Sequence, residues 1–245
     1  GDVTQNGTIT IRSDATDNGS LILEGNQTGI GNVVYQRYVS TSVNPTDAQG
    51  WHFVSSPVSG QNINVFKNDV LRSGVKYAIA RYDNSLATNR YNYYTNNTGA
   101  NDIDVAGFFT KGIGYSIKRS TAGTVNFTGT LHTENVPIII TDHSGGVGNK
   151  WNLVGNPFTS SIALNNDANA TNNFLLANAT KLDPDRVAVY QWNASTASYD
   201  IYNQATGIAK YIAPGQGFFV NAIDGGATIN FTEVMQEHQT GNIFS

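Results

Sequence analysis

The chain has no cysteine. Disulfides, thiol nucleophiles and thiolate metal sites are therefore excluded, while the compartment stays open on this criterion. Charge is also scarce: 14 Lys and Arg stand against 18 Asp and Glu, a net charge of −4 in 245 residues. Such a balance excludes a strong electrostatic grip on nucleic acid or anionic lipid. Apolar runs are short. The longest lie near "VPIII" at 136–140, far below the roughly 20 residues of a spanning helix, so no membrane insertion is expected. The four histidines, 52, 132, 143 and 238, make no H-E-x-x-H pair, and no serine sits in G-x-S-x-G. The G-x-G tripeptides at 112–114 and 215–217 lack a third glycine and lead into strand patterns, which removes a dinucleotide loop there.

What is abundant is polar and uncharged: 30 Asn, 25 Thr and 25 Gly. A length of 245 residues suits one large all-β domain or two smaller ones, and such a chain buries roughly three quarters of its unfolded surface without cross-links. The start at Gly1, with no apolar leader, suggests a mature or excised segment.

The sequence repeats itself. "WHFVSSP" (51–57) matches "WNLVGNP" (151–157), and "YAIARYD" (77–83) matches "VAVYQWN" (187–193). "YNYY" (91–94) matches "YDIY" (199–202), and "GIGYSIKRSTAGTVNFT" (112–128) matches "GQGFFVNAIDGGATINFT" (215–232). Four ordered matches indicate an internal duplication. Each block has strand character, and "NVFKNDVLRSG" (64–74) and "TNNFLLANATKL" (171–182) have helical spacing, the latter with Asn172 or Asn173 as cap. The expected fold is all-β: duplicated β-sandwich units with short helices in loops, each with its tryptophan, Trp51 or Trp151, in its core. Residues 33–133 and 134–245 are the two repeats. Residues 1–32 hold short solenoid-like or edge strands, read as the end of a β-solenoid. Gly112 and Gly215 are expected at strand entries hostile to a side chain.

The series "GSLILEG", "VVYQRYVS", "GWHFVSSP", "WNLVGNPF", "YIAPGQGFFV", "FTEVMQEH" resembles a region common in large secreted proteins of Bacteroidetes. There it lies ahead of the sorting domain read by the type IX secretion system. The resemblance implies export to the cell surface or medium as part of a larger parent chain. The parents include adhesins and enzymes, so it implies no particular ligand. This chain stops at "GNIFS" with no sorting domain following, which the resemblance would make a processed or truncated form.

Two residue sets carry candidate chemistry. Asp102 with Asp104, and Asp183 with Asp185, are acids two positions apart in loops. Such pairs either shape turns or, with Asn side chains and backbone carbonyls, ligate Ca²⁺. Aromatic residues crowd the two central hairpins. Alternation places Tyr91 and Tyr93 on one face opposite Asn92 and Tyr94, and Tyr190 and Trp192 on one face opposite Gln191. One face must be core; the other would offer rings beside amides, a platform for sugar rings. Asn92, Tyr93 and Tyr94 are the favoured candidates, with Tyr190, Trp192 and Tyr202 from the second hairpin, and any site is expected in one repeat only. Two readings stand: a non-catalytic surface adhesion module binding polysaccharide or surface glycan, or a structural stalk or C-terminal module with no ligand of its own. A glycoside hydrolase, which needs two carboxyls across a cleft, is the weaker third.

Overall fold

A computed structural model describes residues 1–41 and 49–239. The fold is all-β, with two short α-helices among the described residues. Two antiparallel sheets dominate, and their strands run in the same order. In the first repeat Trp51–Val54 pairs with Tyr115–Lys118, which pairs with Lys76–Tyr82, which pairs with Tyr91–Thr95. In the second, Trp151–Gly155, Gly217–Asn221, Val189–Asn193 and Ser198–Tyr202 follow one another likewise. The registers correspond residue by residue. Ser116 lies opposite Phe53 and Ala80, and its counterpart Phe219 lies opposite Leu153 and Tyr190. The final "GNIFS" lies outside the described residues.

Each sheet is covered on one face by a second, smaller layer. Val33–Val39 pairs with Gly123–Leu131 in the first unit, and Val136–Ile140 pairs with Ala227–Phe231 in the second. Side chains that alternate inward fill the space between, as sandwich packing requires. One core gathers Val33, Tyr35, Ile79, Tyr115 and Phe127; the other gathers Val136, Val189, Phe218, Val220 and Phe231. The helices Ile63–Phe66 and Phe174–Asn178 each close one end of a core with a buried phenylalanine. Both are capped alike: the side chain of Asn62 accepts from the Val65 N–H, and that of Asn173 from the Leu176 N–H. The helix expected in 171–182 thus starts at the second of the two proposed caps.

Trp51 and Trp151 depart from expectation. Neither enters a sandwich core; both are half-buried on the opposite face of their sheet. The reason is parity. Val54 and Val154 point into the cores, so residues at odd distance from them, Trp51 and Phe53 or Trp151 and Leu153, point outward.

Those outward faces meet each other, and this explains the repeated hairpin. The Ser55 N–H donates to the Gly215 carbonyl at 2.8 Å, and the Gly155 N–H donates to the Gly112 carbonyl at 3.0 Å. Ser55 corresponds to Gly155, and Gly215 to Gly112, so the two units exchange the same bond. The bridges Val54–Gln216 and Val154–Ile113 are exchanged in the same way. Equivalent contacts made in both directions define an approximate two-fold axis, the isologous arrangement usual in dimers. Each G-x-G segment therefore enters its own sheet while lying against the other unit's strand. Gly112 and Gly215 have φ of +70° and +63°, and a Cβ on Gly217 would lie 2.9 Å from the Phe53 backbone. A side chain fits neither the conformation nor the space.

The N-terminal residues form a parallel coil. Val3–Thr4 pairs with Gln27–Thr28, and Ile9–Ile11 pairs with Val33–Val39, both in parallel. The chain thus passes from solenoid-like strands directly into the first sandwich, because Val33–Val39 belongs to both.

Candidate functional site

The facing outer surfaces of the two sheets make a third apolar cluster. Phe53, Leu153 and Phe219 are its buried centre, with Tyr82, Tyr91, Trp151, Tyr190 and Trp192 packed around them. Phe53 and Phe219 meet edge to face at 5.3 Å between centroids. Two clefts adjoin this contact, Phe219 lining one and Phe53 the other.

The larger cleft, about 660 Å³, is lined by Tyr82, Asn89, Arg90 and Tyr91 of the first unit and by Trp151, Tyr190, Tyr199, Ile201 and Phe219 of the second. The smaller, about 350 Å³, is lined by Trp51, Phe53, Tyr91, Tyr93 and Ser116 of the first and by Trp192 and Tyr199 of the second. Under the repeat alignment Trp151, Tyr199, Ile201 and Phe219 become Trp51, Tyr91, Tyr93 and Ser116, and Tyr82 becomes Trp192. The two clefts are the same place seen twice. They differ where the repeats differ. Tyr190 and Phe219 put two rings in the larger cleft where the smaller has Ala80 and Ser116 as counterparts.

All three tryptophans of the chain line these clefts. Their rings are held edge-on by neighbours: Trp151 on Tyr190 at 4.7 Å, Trp192 on Tyr199 at 5.1 Å and Trp51 on Tyr93 at 5.8 Å. Tyr91 and Tyr199, equivalent residues, line both clefts. Burial, then the neighbouring phenol of Tyr199, hold the Tyr91 proton on well above the usual phenol range. Tyr199 is the more open of the pair, at 42% exposure. Polar groups stand at the rim. The Asn149 amide donates to the Tyr82 hydroxyl at 3.2 Å, and Arg90 is steadied by donating from Nε to the Leu86 carbonyl at 2.8 Å. Among the described residues no carboxylate or imidazole lines either cleft.

The residues expected to form a platform are divided by this geometry. Tyr93, Tyr190 and Trp192 line the clefts. Tyr94 does not: it is 3% exposed inside the first core, because it follows Tyr93 on the strand and points the other way. Its counterpart Tyr202 packs against the second core, with the Lys210 ammonium 4.5 Å from its ring centroid. Asn92 also lies on the far face from Tyr93, where its amide donates to Asp83 at 3.4 Å. Both clefts, moreover, are lined by residues of both repeats.

The acidic pairs are occupied by the protein itself. Asp102 accepts the Asp104 N–H at 3.0 Å, capping a short turn, and Asp104 pairs with Lys67 at 3.2 Å. Asp183 accepts the Asp185 N–H at 3.0 Å and pairs with Lys150 at 3.0 Å; Lys150 also reaches Asp224. The Lys150 hydrogen bond holds the Asp183 carboxyl below its usual range. Among the described residues no group of three or more His, Asp or Glu converges as a metal site.

The fold and clefts together define a class: an all-β tandem of two sandwich units facing each other across an aromatic junction. By sequence the chain belongs to a family described as a domain of unknown function, DUF8693, which matches residues 2–244. No curated protein and no solved structure matches it.

Proposed function

We propose that this chain is a non-catalytic adhesion module of an exported protein, and that it binds glycan in the clefts between its two repeats. The observation that carries the reading is the concentration of every tryptophan, with Tyr91 and Tyr199, in two open clefts related by the two-fold. Flat rings beside hydroxyls and amides suit the C–H face and peripheral hydroxyls of a sugar. The weakly charged, Asn- and Thr-rich composition favours a neutral polar ligand and an extracellular setting. Each cleft alone would bind at about millimolar Kd, about −4 kcal/mol, and two clefts on one rigid body would add avidity on a polymer.

Because each indole lines a cleft, tryptophan fluorescence titrated with a panel of soluble polysaccharides tests the reading. The expected result is a saturable change with at least one member. An emission spectrum unmoved by the whole panel, with no retention on insoluble polysaccharide, would refute it. The second reading, a structural terminal module of a larger protein, is favoured by the parallel coil at residues 1–41. On that reading the clefts are only the margins of the seam, and ring truncation at their rims changes nothing but stability.

A further inference from the structure

The first two coils repeat with one period. Val3 lies beside Gln27, Thr4 beside Thr28, Ile9 beside Val33, Thr10 beside Val34 and Ile11 beside Tyr35, each partner 24 positions on. The sequence keeps the same period: Gly1 and Gly25, Thr4 and Thr28, Gly7 and Gly31, Ile9 and Val33. The stacking is close. The hydroxyls of Thr4 and Thr28 are 3.0 Å apart, and the Gln27 amide donates to the Gln5 side-chain oxygen at 2.7 Å. A Cβ on Gly31 would collide with the Gly7 carbonyl. A constant offset, a ladder of identical side chains and small residues at the corner are the marks of a solenoid, in which each coil is built to lie on the next.

One side of this stack is taken. Val33–Val39 pairs onward with Gly123–Leu131, so the sandwich covers this strand of the second coil. The other side is free: among the described residues Val3–Thr4 and Ile9–Ile11 have no strand beyond them. The N–H groups of Val3, Gln5 and Ile9 turn inward to the carbonyls of Asn26, Thr28 and Asn32. By the alternation of a parallel ladder, those of Thr4 and Thr10 turn outward. An uncovered edge of this kind is a template for another strand.

We propose that this edge receives a further coil of the same chain, lying ahead of Gly1, parallel and in the same 24-residue register. The molecule is then the C-terminal cap of a β-solenoid, its paired sandwiches closing the end. The repeat itself selects this occupant. A parallel coil extends the Thr4–Thr28 ladder, whereas a second copy joined about a two-fold would pair antiparallel and break it. Covalent continuity also holds such a coil at high effective concentration.

Two extended chains test it: the 245 residues preceded by a copy of residues 1–24, and by a copy of residues 25–48. A scrambled 24-residue extension is the control. Amide hydrogen exchange is read at Thr4 and Thr10, with the mass in solution by sedimentation. The proposal expects monomers in which at least one copied coil slows exchange at both amides by about tenfold or more, with no slowing from the scramble. Equal rates in all three extended chains would overturn it. Slow exchange already present in the unextended chain, with a dimer mass, would also overturn it and assign the edge to a second copy.

Discussion

His52 and Asn152 occupy equivalent positions and do the same work, so replacing one by the other measures what burial of the imidazole costs. The His52 ring lies against the main-chain carbonyl of Ser40, with Nε2 at 3.1 Å. Asn152 donates from Nδ2 to the carbonyl of the equivalent Thr141 at 2.9 Å. Burial pushes the His52 pKa from 6.5 down to about 4, with the Ser40 bond opposing and the charge of Arg37 adding to the fall. The unfolded chain therefore takes a proton below pH 6.5 that the folded chain refuses until about 4. Stability is lost as pH falls through that window, in total about 3 kcal/mol, of which about 2 kcal/mol falls between pH 7 and pH 5. In His52→Asn the carbonyl keeps a donor and the titration disappears. The smaller side chain should cost about 1 kcal/mol at pH 7. The assay is urea unfolding of both proteins at pH 7 and pH 5. The wild type should lose about 2 kcal/mol more than the variant on acidification, so that the two converge or cross. His132, whose pKa burial also lowers to about 4, stays in both and cancels. Equal losses in the two proteins would refute the reasoning.

Tyr94→Ala should cost about 3 kcal/mol, because the ring is 3% exposed in the first core, and should not alter ligand retention if the protein still folds; retention lost at unchanged stability would return Tyr94 to the surface. Gly215→Val should lower stability by about 1 to 3 kcal/mol in thermal or urea unfolding, since φ is +63° and a Cβ would meet the Ser55 carbonyl at 2.9 Å. A midpoint that barely moves would remove the close seam. Calcium at either acidic pair would have to displace Lys67 or Lys150, so excess chelator should leave the melting temperature where it was. A drop in chelator, restored by Ca²⁺, would show that the carboxylates prefer the cation.

Much of this fold was legible because it rests on patterns the sequence writes twice. The strand order, the capped helices and the positive φ of Gly112 and Gly215 follow from the matched blocks. The site was legible only in part. Alternation separates Tyr91 and Tyr93 from Tyr94, and the same rule applied from Val54 and Val154 would have turned Trp51 and Trp151 outward. Assigning those tryptophans to the cores came from residue type, which favours burial, over parity, which decides direction. Phe53, Phe219, Asn89 and Arg90 could not be gathered from one hairpin, because the clefts exist only where two units meet. The 24-residue coil was present as Gly1–Gly25, Thr4–Thr28 and Gly7–Gly31, a period that short strands and polar residues mask.

Tyr199 is the residue on which the central claim turns, since it lines both clefts and is 42% exposed. The direct measurement is retention of the wild type and of Tyr199→Ala in affinity electrophoresis through gels cast with the polysaccharide that moves the tryptophan emission, with melting temperatures recorded alongside. The account predicts that retention falls by about tenfold or more, as losing a stacked ring costs about 1.4 kcal/mol per cleft, while the melting temperature moves by only a few degrees. Undiminished retention by a folded Tyr199→Ala protein would contradict it.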